Sequence, residues 1–124
     1  MSYVFDAQEI PTLPVSGTIE VFPVHRIYCV GQNYAKHARE MGINSDRTSP
    51  FFFNKPADAL FCGGTQIPFP LATENLQHEI ELVVAIGKKG TQIQESEALE
   101  YVFGYAVGLD LTRRDLQIEA KKKG

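Results

Sequence analysis

The stretch HEIELVVAIG, residues 78–87, decides the fold that this sequence predicts. Its apolar residues recur at the period of two that is typical of a β-strand. The face expected to be core throughout is formed by Ile80, Leu82, Val84 and Ile86. The opposite face begins with Glu79 and Glu81 and continues with Val83 and Ala85. We therefore expect a strand that packs on one side and presents paired carboxylates at one end of the other.

Further strand-forming stretches lie on both sides of this segment. Residues 26–30 (RIYCV) and 51–53 (FFF) combine β-branched and aromatic side chains, which favours strands. Residues 101–109 (YVFGYAVGL) form a nearly continuous apolar run that predicts a buried strand. Short helices are predicted over residues 33–40, 95–100 and 112–123, the last opened by a capping box. The fold class is therefore α+β, mainly β, and residues 1–25 form an N-terminal arm with a short strand at residues 18–22.

The composition narrows the class of protein. The chain of 124 residues carries 12 Lys and Arg against 15 Asp and Glu, a net charge of −3. This balance argues against nucleic-acid binding, which needs a basic surface. No apolar run reaches the about 18 residues that a membrane-spanning helix needs, and no signal peptide is visible. Cys29 and Cys62 form no CxxC motif. We expect a cytoplasmic protein that binds neither nucleic acid nor membranes.

Three acidic residues are candidates for a metal site. Glu79 and Glu81 project from one strand face, roughly 6.6 Å apart at the backbone, so their side chains can converge on one cation. An all-oxygen set of ligands suits Mg²⁺ or Ca²⁺ better than zinc. The alternative is an ordinary solvated strand face. Asp110 follows the second apolar run, where it is either a further site residue or the cap of the last helix.

A histidine and a carboxylate lie on the first predicted helix. His37 and Glu40 are three residues apart and therefore share one side of that helix. A carboxylate beside an imidazole raises its basicity, as a general base requires. An ordinary surface pair is the alternative. Arg113 and Arg114 could hold an anionic substrate or a neighbouring acid, and the sequence leaves both possibilities open.

Taken in order, four stretches resemble the fumarylacetoacetate hydrolase family. They are IYCVGQNYAKHAREMG, PFFFNKPADAL, HEIELVVAIGKKG and YVFGYAVGLDLTRRDLQIEAKKKG, and together they extend from about residue 26 to residue 124. The resemblance implies the mixed β-roll of this family and assembly as a homodimer. Because relatives continue past the position of Gly124, residues 26–124 are expected to be the N-terminal portion of the catalytic domain, without the C-terminal part of the roll.

The resemblance also implies roles for individual residues. A divalent cation would be bound, with Mg²⁺ preferred and Mn²⁺ or Ca²⁺ as alternatives. Its ligands would be Glu79, Glu81 and Asp110. The catalytic pair that activates water would be His37 and Glu40. The substrate-binding residues would be Arg114, Gln117 and Lys55.

The implied activity is metal-dependent hydrolysis of a carbon–carbon bond in a β-diketo acid, such as fumarylpyruvate or another acylpyruvate. Water activated by the His–Glu pair would attack, and the metal would stabilise the enolate that leaves. Residues 45–60 (SDRTSPFFFNKPADAL), combined with a proline-rich N-terminal arm, resemble bacterial fumarylpyruvate hydrolases of gentisate breakdown. One alternative is an oxaloacetate decarboxylase or keto–enol isomerase of the same family. The other is a non-catalytic half-domain that only binds metal.

Overall fold

A computed structural model of the chain describes residues 2–31, 33, 42, 49–62, 64 and 66–124. The chain divides into two compact units, Met1–Ile67 and Pro68–Gly124. Over the described residues the protein is mainly β with few helices, as predicted, and its strands form two-stranded antiparallel sheets. The predicted helix at residues 33–40 lies almost entirely outside the described residues.

The N-terminal unit begins with a small antiparallel pair. Strand β1 (Thr12–Pro14) pairs with β2 (Val21–Pro23). The prediction of a strand over residues 18–22 is therefore wrong at its start. Thr18 lies in the turn, where its Oγ1 accepts a hydrogen bond from the backbone N–H of Glu20 at 3.0 Å. Such a bond between a side chain and the backbone two residues on competes with a strand ladder.

A second antiparallel pair follows in the same unit. Strand β3 (Ile27–Gly31) pairs with β4 (Phe51–Lys55), so both predicted strands are confirmed with slightly shifted ends. Gly31 stands opposite Phe51, and a Cβ built on it would lie 2.5 Å from Cδ1 of that ring. Glycine is therefore needed for the phenyl ring to lie across the ladder. A short 3₁₀ helix at Ala57–Ala59 follows β4.

The C-terminal unit is built on one long antiparallel pair. Strand β5 (Leu76–Ile86) pairs with β6 (Val102–Arg113) along its whole length, with a register shift at residues 85–86. A 3₁₀ helix at Glu95–Tyr101 precedes β6, as the sequence predicts. Helix α1 (Arg114–Lys123) follows β6 directly. Within the described part of the chain, no helix is long and apolar enough to cross a membrane.

The start of α1 differs from the prediction. Thr112 does not cap the helix, because it continues β6 and pairs with Gln77. The N-cap position belongs to Arg113, which makes no capping hydrogen bond with its side chain. The pairing of β6 with the first residues of β5 thus extends the strand through the residues that the sequence assigned to a capping box. Asp110, four residues before α1, lies in the strand and is not a helix cap.

The apolar face of the β5–β6 pair, which the alternation alone predicts to be core, is exposed. Ile80 and Leu82 are 67% and 63% exposed, and Val107 opposite Leu82 is 80% exposed. The predicted buried strand at residues 101–109 is exposed for the same reason. A two-stranded sheet needs a second layer to cover it, and the described part of the chain supplies none over this face. Among the described residues the buried apolar side chain is that of Val24.

Candidate metal and substrate site

The register of β5 and β6 brings the predicted acidic residues to one face. Glu79 pairs directly with Asp110, and Glu81 pairs with Gly108. Directly opposed residues of an antiparallel pair share a face, with Cα atoms about 4.5–5.5 Å apart. Residues two apart on a strand also share a face. We call this surface the carboxylate face, formed by Gln77, Glu79 and Glu81 of β5 with Asp110 and Thr112 of β6.

Gly108 leaves no side chain opposite Glu81. A Cβ built on Gly108 would lie 2.7 Å from Cγ2 of Val83, closer than real contacts of this kind. The valine side chain therefore crosses toward β6 only because position 108 is glycine. The space beside Gly108 on the carboxylate face is therefore taken up in part by the Val83 side chain.

Arg114, the first residue of α1, contacts the carboxylate face from the helix. Its Nη2 donates to Oε1 of Glu79 at 2.5 Å, and its Nε donates to Oε1 of Gln77 at 3.0 Å. Its Nη1 donates to Oε1 of Gln117, one turn along α1, at 2.7 Å. The Arg114 and Glu79 side chains are 22% and 39% exposed, so solvent screens this ion pair less than a fully exposed one. Of the two roles that the sequence left open for Arg114, this structure shows contact with a neighbouring acid.

Gln77 also lies on the carboxylate face and contacts Arg114, and the sequence did not suggest it as a candidate. Its side-chain oxygen accepts from Arg114, and its Nε2 donates to Oδ1 of Asn75 at 3.2 Å. The signal that could have found it is its position two residues before Glu79, which puts it on the same strand face.

Asp115 fixes the start of α1 against the segment that leads into β5. Its Oδ1 accepts from the Thr73 hydroxyl at 2.5 Å, and its Oδ2 accepts from the Glu74 backbone N–H at 2.9 Å. The Thr73 hydroxyl, followed by the Glu74 N–H, lowers the pKa of Asp115 from its ordinary value of 3.8. The Arg114 backbone N–H also donates to the Asn75 carbonyl oxygen at 2.8 Å. These bonds hold Arg114 beside the carboxylate face.

The donor set suits a hard divalent cation, because carboxylate oxygens on one face are the ligands that Mg²⁺, Mn²⁺ and Ca²⁺ accept. The side chains are nevertheless not gathered. Within the described ranges, no three His, Cys, Asp or Glu side chains form a group that could hold a metal ion. The backbone thus aligns the three acidic positions, while one oxygen of Glu79 contacts the Arg114 guanidinium.

The remaining predicted site residues are Lys55, Gln117, His37 and Glu40. Lys55 ends β4 in the N-terminal unit, where it lines an open groove of about 520 Å³ together with His25, Arg26 and Tyr28. Gln117 lies on α1 and contacts Arg114. His37 and Glu40 lie outside the described residues.

Comparison with known proteins matches the chain to one family. The family model for the C-terminal region of fumarylacetoacetate hydrolase matches residues 26–124. A crystal structure of fumarylpyruvate hydrolase from Pseudomonas aeruginosa, in complex with Mn²⁺ and pyruvate, is 48% identical with a TM-score of 0.90, covering 99% of this chain and 55% of that one.

Two curated relatives carry other activities in their names. The mitochondrial oxaloacetate tautomerase of Bos taurus is 47% identical over 98 residues, 79% of this chain and 44% of the relative. The mitochondrial oxaloacetate decarboxylase of Dictyostelium discoideum is 46% identical over 99 residues, 79% of this chain and 45% of the relative. The chain spans about half the length of the curated relatives it matches. It belongs to the fumarylacetoacetate hydrolase family.

Proposed function

We propose that this chain carries the metal-binding part of an enzyme that hydrolyses a carbon–carbon bond in an acylpyruvate, with fumarylpyruvate as the favoured substrate. The observation that carries the proposal is the direct pairing of Glu79 with Asp110, which aligns three carboxylates on one strand face. The similarity to a fumarylpyruvate hydrolase crystallised with Mn²⁺ and pyruvate supports both the cation and the substrate class.

The proposed ligands of the cation are Glu79, Glu81 and Asp110. A divalent ion bound there would act as a Lewis acid toward a keto oxygen of the substrate. Val83 follows two residues after Glu81 on the same face, so an apolar side chain lies beside the proposed ligands.

Arg114 and Gln117 are proposed to orient the substrate at the edge of the carboxylate face. The side-chain oxygen of Gln117 accepts a hydrogen bond from Arg114, which fixes the orientation of the Gln117 amide. The Nε2 of Gln117 is then the group that can donate to an acidic substrate. Lys55 is proposed as a further cation for the substrate's anionic groups. His37, oriented by Glu40, is proposed as the general base that takes a proton from the attacking water.

A second candidate function is decarboxylation or keto–enol isomerisation of oxaloacetate. It is favoured by the relatives named oxaloacetate tautomerase and oxaloacetate decarboxylase, at 47% and 46% identity. Oxaloacetate, like an acylpyruvate, offers a keto oxygen and a carboxylate that a hard cation can hold together. The products separate the reactions, because hydrolysis of fumarylpyruvate adds water and gives fumarate and pyruvate, whereas decarboxylation of oxaloacetate gives pyruvate and carbon dioxide.

The test is to incubate the protein that contains this chain with fumarylpyruvate or oxaloacetate, with Mn²⁺ or a chelator, and to quantify the products by chromatography. We expect fumarate and pyruvate in equal amounts, and none after chelation. Glu81→Gln should abolish turnover, while the matched control Glu97→Gln, on the exposed 3₁₀ helix, should not change it. Turnover that persists in the chelator would contradict the metal-dependent mechanism. Mn²⁺ binding without turnover of either substrate would favour the non-catalytic metal-binding half-domain.

A further inference from the structure

Arg114 contacts one of the three proposed metal ligands. Its Nη2 lies 2.5 Å from Oε1 of Glu79, and the guanidinium is only 22% exposed. A carboxylate oxygen that accepts this charge-assisted bond has one lone pair fewer for a cation.

Two neutral side chains hold the guanidinium in this position. Gln77 accepts from Nε and Gln117 accepts from Nη1, so all three guanidinium nitrogens donate to named oxygens. Gln77 is two residues before Glu79 on the same strand, and Gln117 is one turn along α1. Held by these two side chains, the planar guanidinium directs Nη2 at Glu79. A lysine has a single ammonium group and could not make this set of contacts.

The carboxylate face concentrates negative charge at one end of the strand pair. Glu79 and Asp110 are directly opposed and Glu81 follows two residues on, so three negative groups share one face. Like charges in direct opposition destabilise a strand pair. A positive group relieves this repulsion, and Arg114 is the positive group that the described residues place in contact with Glu79.

We infer that Arg114 is an internal competitor of the divalent cation: its guanidinium occupies Glu79 in the metal-free protein and must give up Oε1, or share the carboxylate, when the cation binds. The inference rests on the proposed function, since it takes Glu79 as a metal ligand. Arg114 thus lowers the affinity for the metal and stabilises the carboxylate face when no cation is bound. Two positive groups at one carboxylate repel each other, so the competition has a defined direction.

The experiment measures Mn²⁺ binding by isothermal titration calorimetry to the protein that contains this chain, without substrate. Arg114→Gln keeps a hydrogen-bonding side chain and removes the charge. We expect it to bind Mn²⁺ about fivefold more tightly than the wild type, the size of a partly shielded ion pair. Arg113→Gln is the matched control, because it removes the same charge from the adjacent position, where the side chain contacts the Leu71 carbonyl oxygen. It should leave the affinity unchanged.

A second measurement needs no change at Arg114 and covers the case in which Arg114→Gln does not fold. In the wild type labelled with ¹⁵N-arginine, the Arg114 Nε–H resonance should shift on titration with Mg²⁺, while that of Arg113, identified by its loss in Arg113→Gln, should not. A tightening in Arg114→Gln, or this selective shift, supports the inference.

If Arg114→Gln bound Mn²⁺ no more tightly than the wild type, or if Arg113→Gln tightened binding as much as Arg114→Gln, the proposed competition would be wrong. The proposed metal site would be unaffected by either result. A Mg²⁺ titration that leaves the Arg114 resonance in place would also contradict the competition. Absence of Mn²⁺ binding by the wild type would remove the metal site itself, and the proposed function with it.

Discussion

The two faces of the β5–β6 pair share one backbone and differ in how their side chains are satisfied. On the carboxylate face, Glu79 finds a partner within the unit, the guanidinium of Arg114. On the apolar face, Leu82 and Val107 stand directly opposite each other and are 63% and 80% exposed. A polar face can be completed by one long side chain from a neighbouring helix, whereas an apolar face needs a whole layer of residues.

The largest expected effect is on metal affinity, when one carboxylate of the carboxylate face is removed. Asp110→Asn removes one proposed ligand, and we expect the affinity for Mn²⁺ to fall by about 100-fold or more, since even partners outside the ligand set cost 10–100-fold.

Calorimetry with Mn²⁺ measures this affinity. The control is Glu95→Gln, an acidic residue on the 3₁₀ helix before β6. If Asp110→Asn bound Mn²⁺ as tightly as this control, Asp110 would not be a ligand.

The next effect concerns the apolar face. Contiguous apolar patches of this kind are rare on the surface of monomeric soluble proteins, so we expect the 124-residue chain to bind a hydrophobic fluorescent dye. Leu82→Gln combined with Val107→Gln should reduce the dye signal and leave Mn²⁺ binding unchanged, because these side chains lie on the face opposite the carboxylates.

The control for that pair is Val4→Gln, which removes an apolar side chain that is 91% exposed and lies outside the β5–β6 pair. A dye signal that responds equally to both changes would show that the apolar face is not a distinct surface. A loss of Mn²⁺ affinity in the double variant would contradict the independence of the faces.

A smaller effect tests what keeps α1 beside the carboxylate face. The pKa of Asp115 is lowered in the folded protein by the Thr73 hydroxyl and the Glu74 N–H. A lowered folded pKa adds stability above the ordinary value of 3.8, and this stability is lost as the pH falls through the folded pKa. Asp115→Asn should therefore lower the Tm at neutral pH, and its difference from the wild type should shrink in acid.

Thermal unfolding followed by circular dichroism between about pH 7 and pH 2 measures this difference. Asp58→Asn is the control, because Asp58 lies on the exposed 3₁₀ helix of the other unit. A Tm difference for Asp115→Asn that is constant across the pH range would mean that the hydrogen bonds of Asp115 contribute nothing that depends on its charge.

The smallest expected effect is the loss of an ordinary exposed ion pair on α1. Lys123 Nζ lies 2.5 Å from Oε1 of Glu119, and these side chains are 73% and 57% exposed. Lys123→Ala should lower the free energy of unfolding by about 0.3–0.5 kcal/mol, the usual value for an exposed pair four residues apart. Urea unfolding measures this, with Lys122→Ala as the control for the helix-end charge. If Lys123→Ala lowered the free energy of unfolding more than Arg114→Gln does, the exposed Lys123–Glu119 pair would contribute more to stability than the less exposed Arg114–Glu79 pair.

The strands could be predicted because their signal is local. The alternation in residues 78–87 is a property of the sequence and identifies both the strand and the side on which each residue lies. Whether the apolar side is covered depends on another layer, which no pattern within the strand reveals. For that reason the alternation predicts which residues share each face of β5 and does not predict whether the apolar face is buried.

The site was predictable in part for the same reason. Glu79 and Glu81 share a face by their spacing alone, but their alignment with Asp110 depends on the register of β6, which periodicity does not define. The contact of Arg114 with Glu79 depends further on where β6 ends and α1 begins. There the sequence suggested a capping box, and the ladder instead extended the strand to Arg113. The roles of His37 and Glu40 stay predictions.

The pairing of Glu79 with Asp110 has a consequence for how this protein can be engineered. The segment that joins the two strands, residues 87–101, lies at the end of the β5–β6 pair away from these residues. Peptide tags or reporter loops inserted there should leave the acidic positions aligned, because the ladder and not the length of the connection sets the register. Deleting one residue of β6 between Gly104 and Asp110 would instead turn an acidic side chain toward the apolar side. Library design should therefore place insertions in the connection and keep the strand lengths fixed.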